Sequence, residues 1–271
     1  MGELLKLCDV TKLYKTSEGK EAVGVQHVSF TVDEGEFISI IGPSGCGKST
    51  LLRCIAGFEK INDGNIYLDG TLIKKPGPDR FMIFQGLDQL FPWLTLKQNI
   101  AFAMKAVKAV KSDEIMQRAQ NNLELVGLSG FGDYYPYQLS GGMKQRASIA
   151  RALSVGPKVL LMDEPFGSLD AFSRKAMHHM LLKVWNKTKV TIIFVTHDIE
   201  EAIDLSDRII AFAPGCILAD IKNPLERPRV RETALYRNFF SELNGIFETN
   251  FKGIDLEFER LSAKKAKLIS V

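Results

Sequence analysis

One stretch constrains the fold of this 271-residue chain more than any other: Gly42-Pro43-Ser44-Gly45-Cys46-Gly47-Lys48-Ser49-Thr50 satisfies the spacing G-x-x-x-x-G-K-[ST] at every fixed position. Such a loop has a mechanical meaning only between a strand and a helix, and both flanks fit. Phe37, Ile38, Ser39, Ile40 and Ile41 read as a strand before it, and Leu51, Leu52, Ile55 and Ala56 as a helix after it. In that setting backbone N–H groups and a helix N-terminus converge on negative charge. Lys48 is then expected to pair with β- and γ-phosphate oxygens, and Ser49 to offer its hydroxyl to Mg²⁺. The expectation is an α/β fold of the P-loop type that holds a nucleoside triphosphate.

A second segment adds chemistry. Val159-Leu160-Leu161-Met162 is an apolar strand that ends in Asp163-Glu164, and strand ends are where open α/β sheets place ligands. Asp163 is positioned to hold Mg²⁺, directly or through water. Glu164, one residue beyond, is the candidate to polarise an attacking water.

Composition excludes several other classes. A formal net charge of +3 gives no argument for a nucleic-acid partner. The longest apolar runs, 190–196 and 208–218, are short or broken by Pro214 and Gly215, so neither spans a bilayer. The N-terminus lacks the long apolar run of a secretion signal, which makes the cytosol the default address. Cys8, Cys46, Cys54 and Cys216 form no C-x-x-C pair, and His178-His179 reads as helix surface or packing rather than a metal site. Cys46 lies inside the phosphate loop, where an accessible thiol would react with thiol reagents.

Along the chain, β-rich runs at Leu4–Val10, Val28–Val32, Phe37–Ile41, Gly64–Leu68 and Phe81–Phe84 predict an antiparallel β layer. From Thr95 the periodicity turns helical. Ile100, Phe102, Ala103 and Val107, then Ile115, Ala119, Leu123 and Val126, mark apolar stripes of a helical insert over about 95–156, ending near Gly156-Pro157. Continuous apolar runs at Val159–Met162 and Val190–Val195 predict strands buried on both faces of a parallel sheet. A tail over 222–271 carries Leu235, Phe239, Leu243 and Ile246 at helical spacing, read as a helix packed on the core in preference to a partner-binding helix.

Leu139-Ser140-Gly141-Gly142-Met143-Lys144-Gln145-Arg146 opens a helix with Ser140 at the N-cap and two glycines that permit close approach. This octet resembles the signature motif of the ATP-binding cassette (ABC) ATPases, and the motifs around it follow that family's order over about residues 3–221. By the resemblance, Gly42 to Thr50 are the Walker A loop and Asp163 is the Walker B aspartate. Glu164 is the catalytic glutamate, and Gly167-Ser168-Leu169-Asp170 is the D-loop. Gln85 matches the Q-loop glutamine, which reaches the metal and the γ-phosphate region, and His197 matches the switch histidine. Tyr14 fits the aromatic that stacks on adenine. The implied architecture is a P-loop core with an antiparallel β layer and an inserted helical subdomain, residues 1–221, followed by the tail.

The family's sites form only when the signature of one subunit closes over the ATP held by another, so the resemblance implies a head-to-tail homodimer using ATP and Mg²⁺. It also implies a peripheral position at the cytoplasmic face of the membrane, with transmembrane permease subunits as direct partners and a substrate-binding protein as an indirect one. Pro76-Gly77-Pro78-Asp79-Arg80 and Leu90-Phe91-Pro92-Trp93-Leu94-Thr95 are similar to the nitrate, sulfonate and taurine branch of importers, except that Gly86 follows Gln85 where a polar side chain is commoner. Phe91 and Trp93 are read either as anchors for a permease helix or as core. Two rival classes differ in content. A soluble ABC ATPase acting on ribosomes or DNA would resemble a duplicated cassette or carry a long coiled-coil insert. A metabolic P-loop kinase would lack the signature and the Thr196-His197-Asp198 segment.

Overall fold

The computed structural model describes residues 2–15, 19–108 and 110–249. Strands β1 (Glu3–Lys15) and β2 (Glu21–Asp33) pair antiparallel, then β3 (Phe37–Ile41) leads through the glycine-rich loop into helix α1 (Lys48–Ala56). Strands β4 (Asp63–Leu68), β5 (Thr71–Leu72) and β6 (Arg80–Ile83) follow, and then helices α2 (Leu96–Ala106), α3 (Ile115–Leu125) and α4 (Gly141–Ser154). The chain returns to the sheet as β7 (Val159–Asp163), α5 (Ala171–Thr188), β8 (Thr191–Thr196), α6 (Ile199–Leu205), β9 (Arg208–Ala213) and β10 (Cys216–Lys222). A last helix, α7, covers residues 234–249; the rest of the tail, 250–271, lies outside the described residues.

These strands make two sheets, one antiparallel in the order β2-β1-β4-β5 and one of six strands in the order β10-β9-β3-β8-β7-β6. Here the sequence expectation needs correction. Phe37–Ile41 and Phe81–Phe84 do not belong to the antiparallel layer: β3 pairs parallel with β8 and β9, and β6 pairs parallel with β7. The physical reason is burial on both faces. Phe37 packs into the core shared with the helices, whereas Ile38 and Ile40 pack into the core between the two sheets. All five residues of β3 are buried, Ser39 at its centre included, as in a strand covered on both sides.

The helices form where their caps and stripes agree. Thr95 Oγ1 accepts from Gln98 N at 3.3 Å while Gln98 Oε1 accepts from Thr95 N at 2.9 Å, a reciprocal cap that fixes the start of α2. The stripe of α3 is as expected, with Ile115, Ala119, Leu123 and Val126 all buried. That of α2 is rotated. Leu96, Ile100, Ala101 and Met104 are buried, while Phe102 is 50% exposed, because the aromatic is held on the outer face by an edge contact with Phe91 at 5.0 Å.

The tail helix packs on the core through three of the four stripe residues, Phe239, Leu243 and Ile246, and departs from the expectation only at Leu235. Tyr236, Phe239 and Leu243 are buried against Ile203 and Ile209, whereas Leu235 is 56% exposed. Tyr236 wins the inner position because its hydroxyl donates to Asp204 Oδ1 at 2.9 Å, so its ring can be buried without orphaning the polar end.

Candidate functional site

Strands β3, β6, β7 and β8 run parallel, so their carboxyl ends lie along one edge of the sheet. The glycine-rich loop leaves β3, Gln85 follows β6, Asp163-Glu164 ends β7 and His197 follows β8. Topology alone therefore gathers residues separated by up to 155 positions in sequence, from Gly42 to His197.

The loop is closely cradled. A Cβ at Gly42 would sit 2.3 Å from Phe212 O, and one at Gly47 would sit 2.0 Å from Gly24 O, with Gly47 at φ 106°. Both positions exclude any larger residue. Gly47 is also the N-cap of α1 and supplies no side-chain acceptor, which leaves the first N–H groups of that helix uncapped by protein side chains. Lys48 is buried and its Nζ donates to Gly42 O at 2.7 Å and Pro43 O at 2.8 Å. Its cation is thus folded over the loop. Ser44 and Gly45 form the loop's exposed turn.

Cys46 is 3% exposed, and burial pushes its thiol above the ordinary range, with Lys48 opposing. The condition for a reactive loop thiol, accessibility, is not met: a thiol that is both covered and protonated is a poor nucleophile.

Two groups of polar contacts meet at the strand ends. Ser49 Oγ donates to Asp163 Oδ1 at 2.8 Å. Asp163 is 3% exposed, and burial raises its carboxyl pKa while the Ser49 hydrogen bond and then the Arg53 charge act the other way. Beside it, Glu164 adopts φ 42°, a left-handed turn held by Glu164 N donating to Val195 O at 3.0 Å and Gly167 N donating to Glu164 O at 3.3 Å. Glu164 Oε2 lies 3.2 Å from His197 Nδ1 and accepts from Gln85 Nε2 at 3.5 Å. The next residue, Gly86, has φ 102° and open space around it, so its departure from the branch pattern answers a backbone requirement at the turn after Gln85.

Tyr14 stands at the end of β1 with its hydroxyl 3.4 Å from Thr50 Oγ1. Gly24 makes room for it, since a Cβ there would meet the Tyr14 ring at 2.8 Å. The ring therefore flanks the start of α1. Lys12 Nζ lies 4.8 Å from its centroid.

The signature residues have different neighbours. Ser140 Oγ accepts from Met143 N at 3.3 Å as the N-cap of α4. A Cβ at Gly141 would press on Leu87 at 2.9 Å and approach Leu169 at 3.6 Å, whereas nothing lies within 4 Å of one at Gly142. Gly141 thus abuts the segments after Gln85 and before Asp170, while the Gly142 side is left open. Trp93 is 69% exposed and Phe91 half-buried, their rings 5.4 Å apart. The reading of Trp93 as core is contradicted by that exposure.

Sequence reasoning missed one buried group beside the site. His178, Glu201 and Thr196 form a hydrogen-bonded chain between α5, α6 and the segment that carries His197. The only legible signal was Asp198-x-x-Glu201, the spacing of a helix-capping pair.

Among the described residues no helix is long and apolar enough to cross a membrane. The profile of the ABC transporter family matches residues 25–167. The chain is 44% identical over 232 residues to the bicarbonate transport ATP-binding protein of Synechocystis sp., covering 84% of this chain and 82% of that one. It is 43% identical over 238 residues to the nitrate import ATP-binding protein of Synechococcus elongatus, covering 86% of each. An aliphatic sulfonates import ATP-binding protein of Bacillus cereus is 43% identical over 242 residues, with 89% of this chain and 94% of that one covered. Among solved structures, a dimeric ATP-binding cassette in a post-hydrolysis state with ADP and Pi superposes with a TM-score of 0.72 at 33% identity, covering 82% of this chain and all of that one.

Proposed function

The chain belongs to the ABC transporter family, and on that premise we propose that it is the ATP-hydrolysing subunit of an importer for a small oxyanion, working as a head-to-tail dimer beneath transmembrane permease subunits. The observation that carries the reading is the convergence of Lys48, Ser49, Asp163, Glu164, Gln85 and His197 at one sheet edge. Relatives named for nitrate, bicarbonate and sulfonates support the solute class. In this reading residues 1–221 are the ATPase unit, 95–156 its helical subdomain and 222–271 an appended tail.

Each residue's role follows from its position. The loop from Gly42 to Thr50 and the uncapped start of α1 bind the phosphates, and Tyr14 stacks on the purine. Lys48 exchanges its bonds to the Gly42 and Pro43 carbonyls for bonds to β- and γ-phosphate oxygens. Ser49 Oγ and Asp163 Oδ1, hard oxygen donors 2.8 Å apart, would hold Mg²⁺, and the Gln85 amide oxygen would serve as a further ligand. When bound, the ion supplies positive charge against the phosphate oxygens. Glu164 takes the proton of the attacking water, and His197 steadies the γ-phosphate beside it. Ser140, Gly141 and Gly142 of the second copy close over that phosphate, which is why the Gly142 side needs to be open.

The segment from Gln85 to Trp93 is the proposed contact with the permease. It borders an open groove of about 820 Å³ that Phe58, Phe84, Leu87 and Val107 line, and aromatic anchors often carry such interfaces. The whole reading is tested by uptake. Cells lacking this chain should lose energy-dependent accumulation of labelled nitrate, bicarbonate or an alkanesulfonate, and regain it with the intact chain but not with Glu164→Gln. Unchanged uptake of all three would reject the importer assignment for this solute class.

A further inference from the structure

Glu201 sits at the third position of α6, where a helix-capping pair would send its carboxylate back to the N–H of Asp198. It does not go there. Thr196 Oγ1 takes the Asp198 N–H at 3.1 Å, and Asp198 Oδ1 accepts from Glu201 N at 3.2 Å. The freed carboxylate turns inward: Oε2 accepts from Thr196 Oγ1 at 2.5 Å and Oε1 lies 2.8 Å from His178 Nε2. An ionised carboxylate only accepts, so His178 donates from Nε2. His178 and Glu201 are 8% and 5% exposed, and the His178 ring lies 5.7 Å from that of Phe166, two residues beyond Glu164. A second tie runs in parallel, with Arg174 NH1 at 3.5 Å from Asp198 Oδ2 and Arg174 NH2 donating to Leu169 O at 3.1 Å.

Both residues flanking His197 are therefore tied to α5, Asp198 directly through Arg174 and Thr196 through Glu201 and His178, while the His197 side chain itself is 58% exposed and within 3.2 Å of Glu164. We propose that His178 and Glu201 are positioning residues for ATP hydrolysis, which hold the Thr196–Asp198 turn so that His197 stays aligned with Glu164. Burying two ionisable groups to tie elements that an apolar pair could pack equally well is costly, and positioning is the return for that cost. The inference rests on the proposed roles of Glu164 and His197.

The test uses steady-state ATP hydrolysis by the purified full chain, with wild type and Glu164→Gln as references, and thermal melting alongside. If wild type hydrolyses ATP no faster than Glu164→Gln, the hydrolysis reading fails; the positioning inference, which rests on it, then falls with it, and the His178 variants are not what decided. Given active wild type, His178→Leu should lower kcat about tenfold with KM for ATP changed less than twofold, because misplacing a catalytic group penalises the transition state. His178→Gln, which keeps a donor, should restore most of kcat. The double variant His178→Leu/Glu201→Leu removes the buried pair together and leaves only the Thr196 hydroxyl short of an acceptor, so its melting temperature should exceed that of His178→Leu while kcat stays low. Recovery of kcat together with stability in the double variant would overturn the proposal. So would equal kcat for His178→Leu and His178→Gln, a comparison that remains available if the double variant does not fold.

Discussion

Ser49 and Asp163, 114 residues apart, meet with Oγ 2.8 Å from Oδ1, so that the hydroxyl at the start of α1 and the carboxylate at the end of β7 face one point beside the phosphate loop. Neither position has value alone. A buried carboxylate raised by desolvation and a serine at a helix start come within hydrogen-bond distance only because β3 and β7 run in the same direction with β8 between them.

Lys48→Ala should weaken ATP binding and lower turnover by at least about a hundredfold, the scale for losing a group aimed at developing phosphate charge. It also removes two bonds that fold the loop, to Gly42 O and Pro43 O. Isothermal titration with a non-hydrolysable ATP analogue and a phosphate-release assay check both halves, and normal turnover would refute the assignment.

Tyr14→Ala should raise the apparent ATP constant about fivefold or more while leaving kcat nearly unchanged, since stacking on a base is worth about 1–3 kcal/mol by analogy with nucleic-acid binding. The ring touches Thr50 but none of the residues assigned to the chemical step. A pure loss of kcat at constant affinity would place the purine elsewhere.

Trp93→Ala should abolish uptake and permease binding while melting temperature and basal hydrolysis stay close to wild type. A side chain 69% exposed contributes little to folding, with surface changes usually worth within about 0.5 kcal/mol. A fall in melting temperature together with basal activity would show that the ring is structural after all.

Much of the site was readable because its parts are local. Gly42 to Thr50, Asp163-Glu164 and Thr196-His197-Asp198 are each short runs whose spacing carries their geometry. What was not readable depends on tertiary pairing. Nothing in Phe37–Ile41 says whether its neighbours are β8 and β9 or the strands before it, and an apolar run fits either until both faces are seen to be covered. Single stripe positions departed for a similar reason: Phe102 faces outward to Phe91, and Tyr236 takes the inner place of Leu235 through Asp204, partners that periodicity does not contain. The bond between His178 and Glu201 spans 23 residues and two helices, and only the unused capping geometry of Glu201 hints at it.

Cysteine labelling separates the buried loop thiol from a surface one. At neutral pH Cys216, which is exposed, should react first with a maleimide, and Cys46 only on unfolding, because its raised pKa leaves little thiolate and its side chain is covered. Peptide mass mapping after brief labelling reads the order directly. Early modification of Cys46 in the folded protein would contradict the loop packing.

The measurement that bears most directly on a composite ATP site is the mass in solution of Glu164→Gln with and without ATP. The substitution keeps the shape of the side chain that His197 and Gln85 face but removes its basicity, so ATP should bind, hydrolysis should fall by at least about a hundredfold, and the closed dimer should accumulate. Light scattering should then report a mass near that of one 30.2 kDa chain without ATP and twice that with it. A single-chain mass in saturating ATP, with nucleotide shown to be bound, would contradict the account.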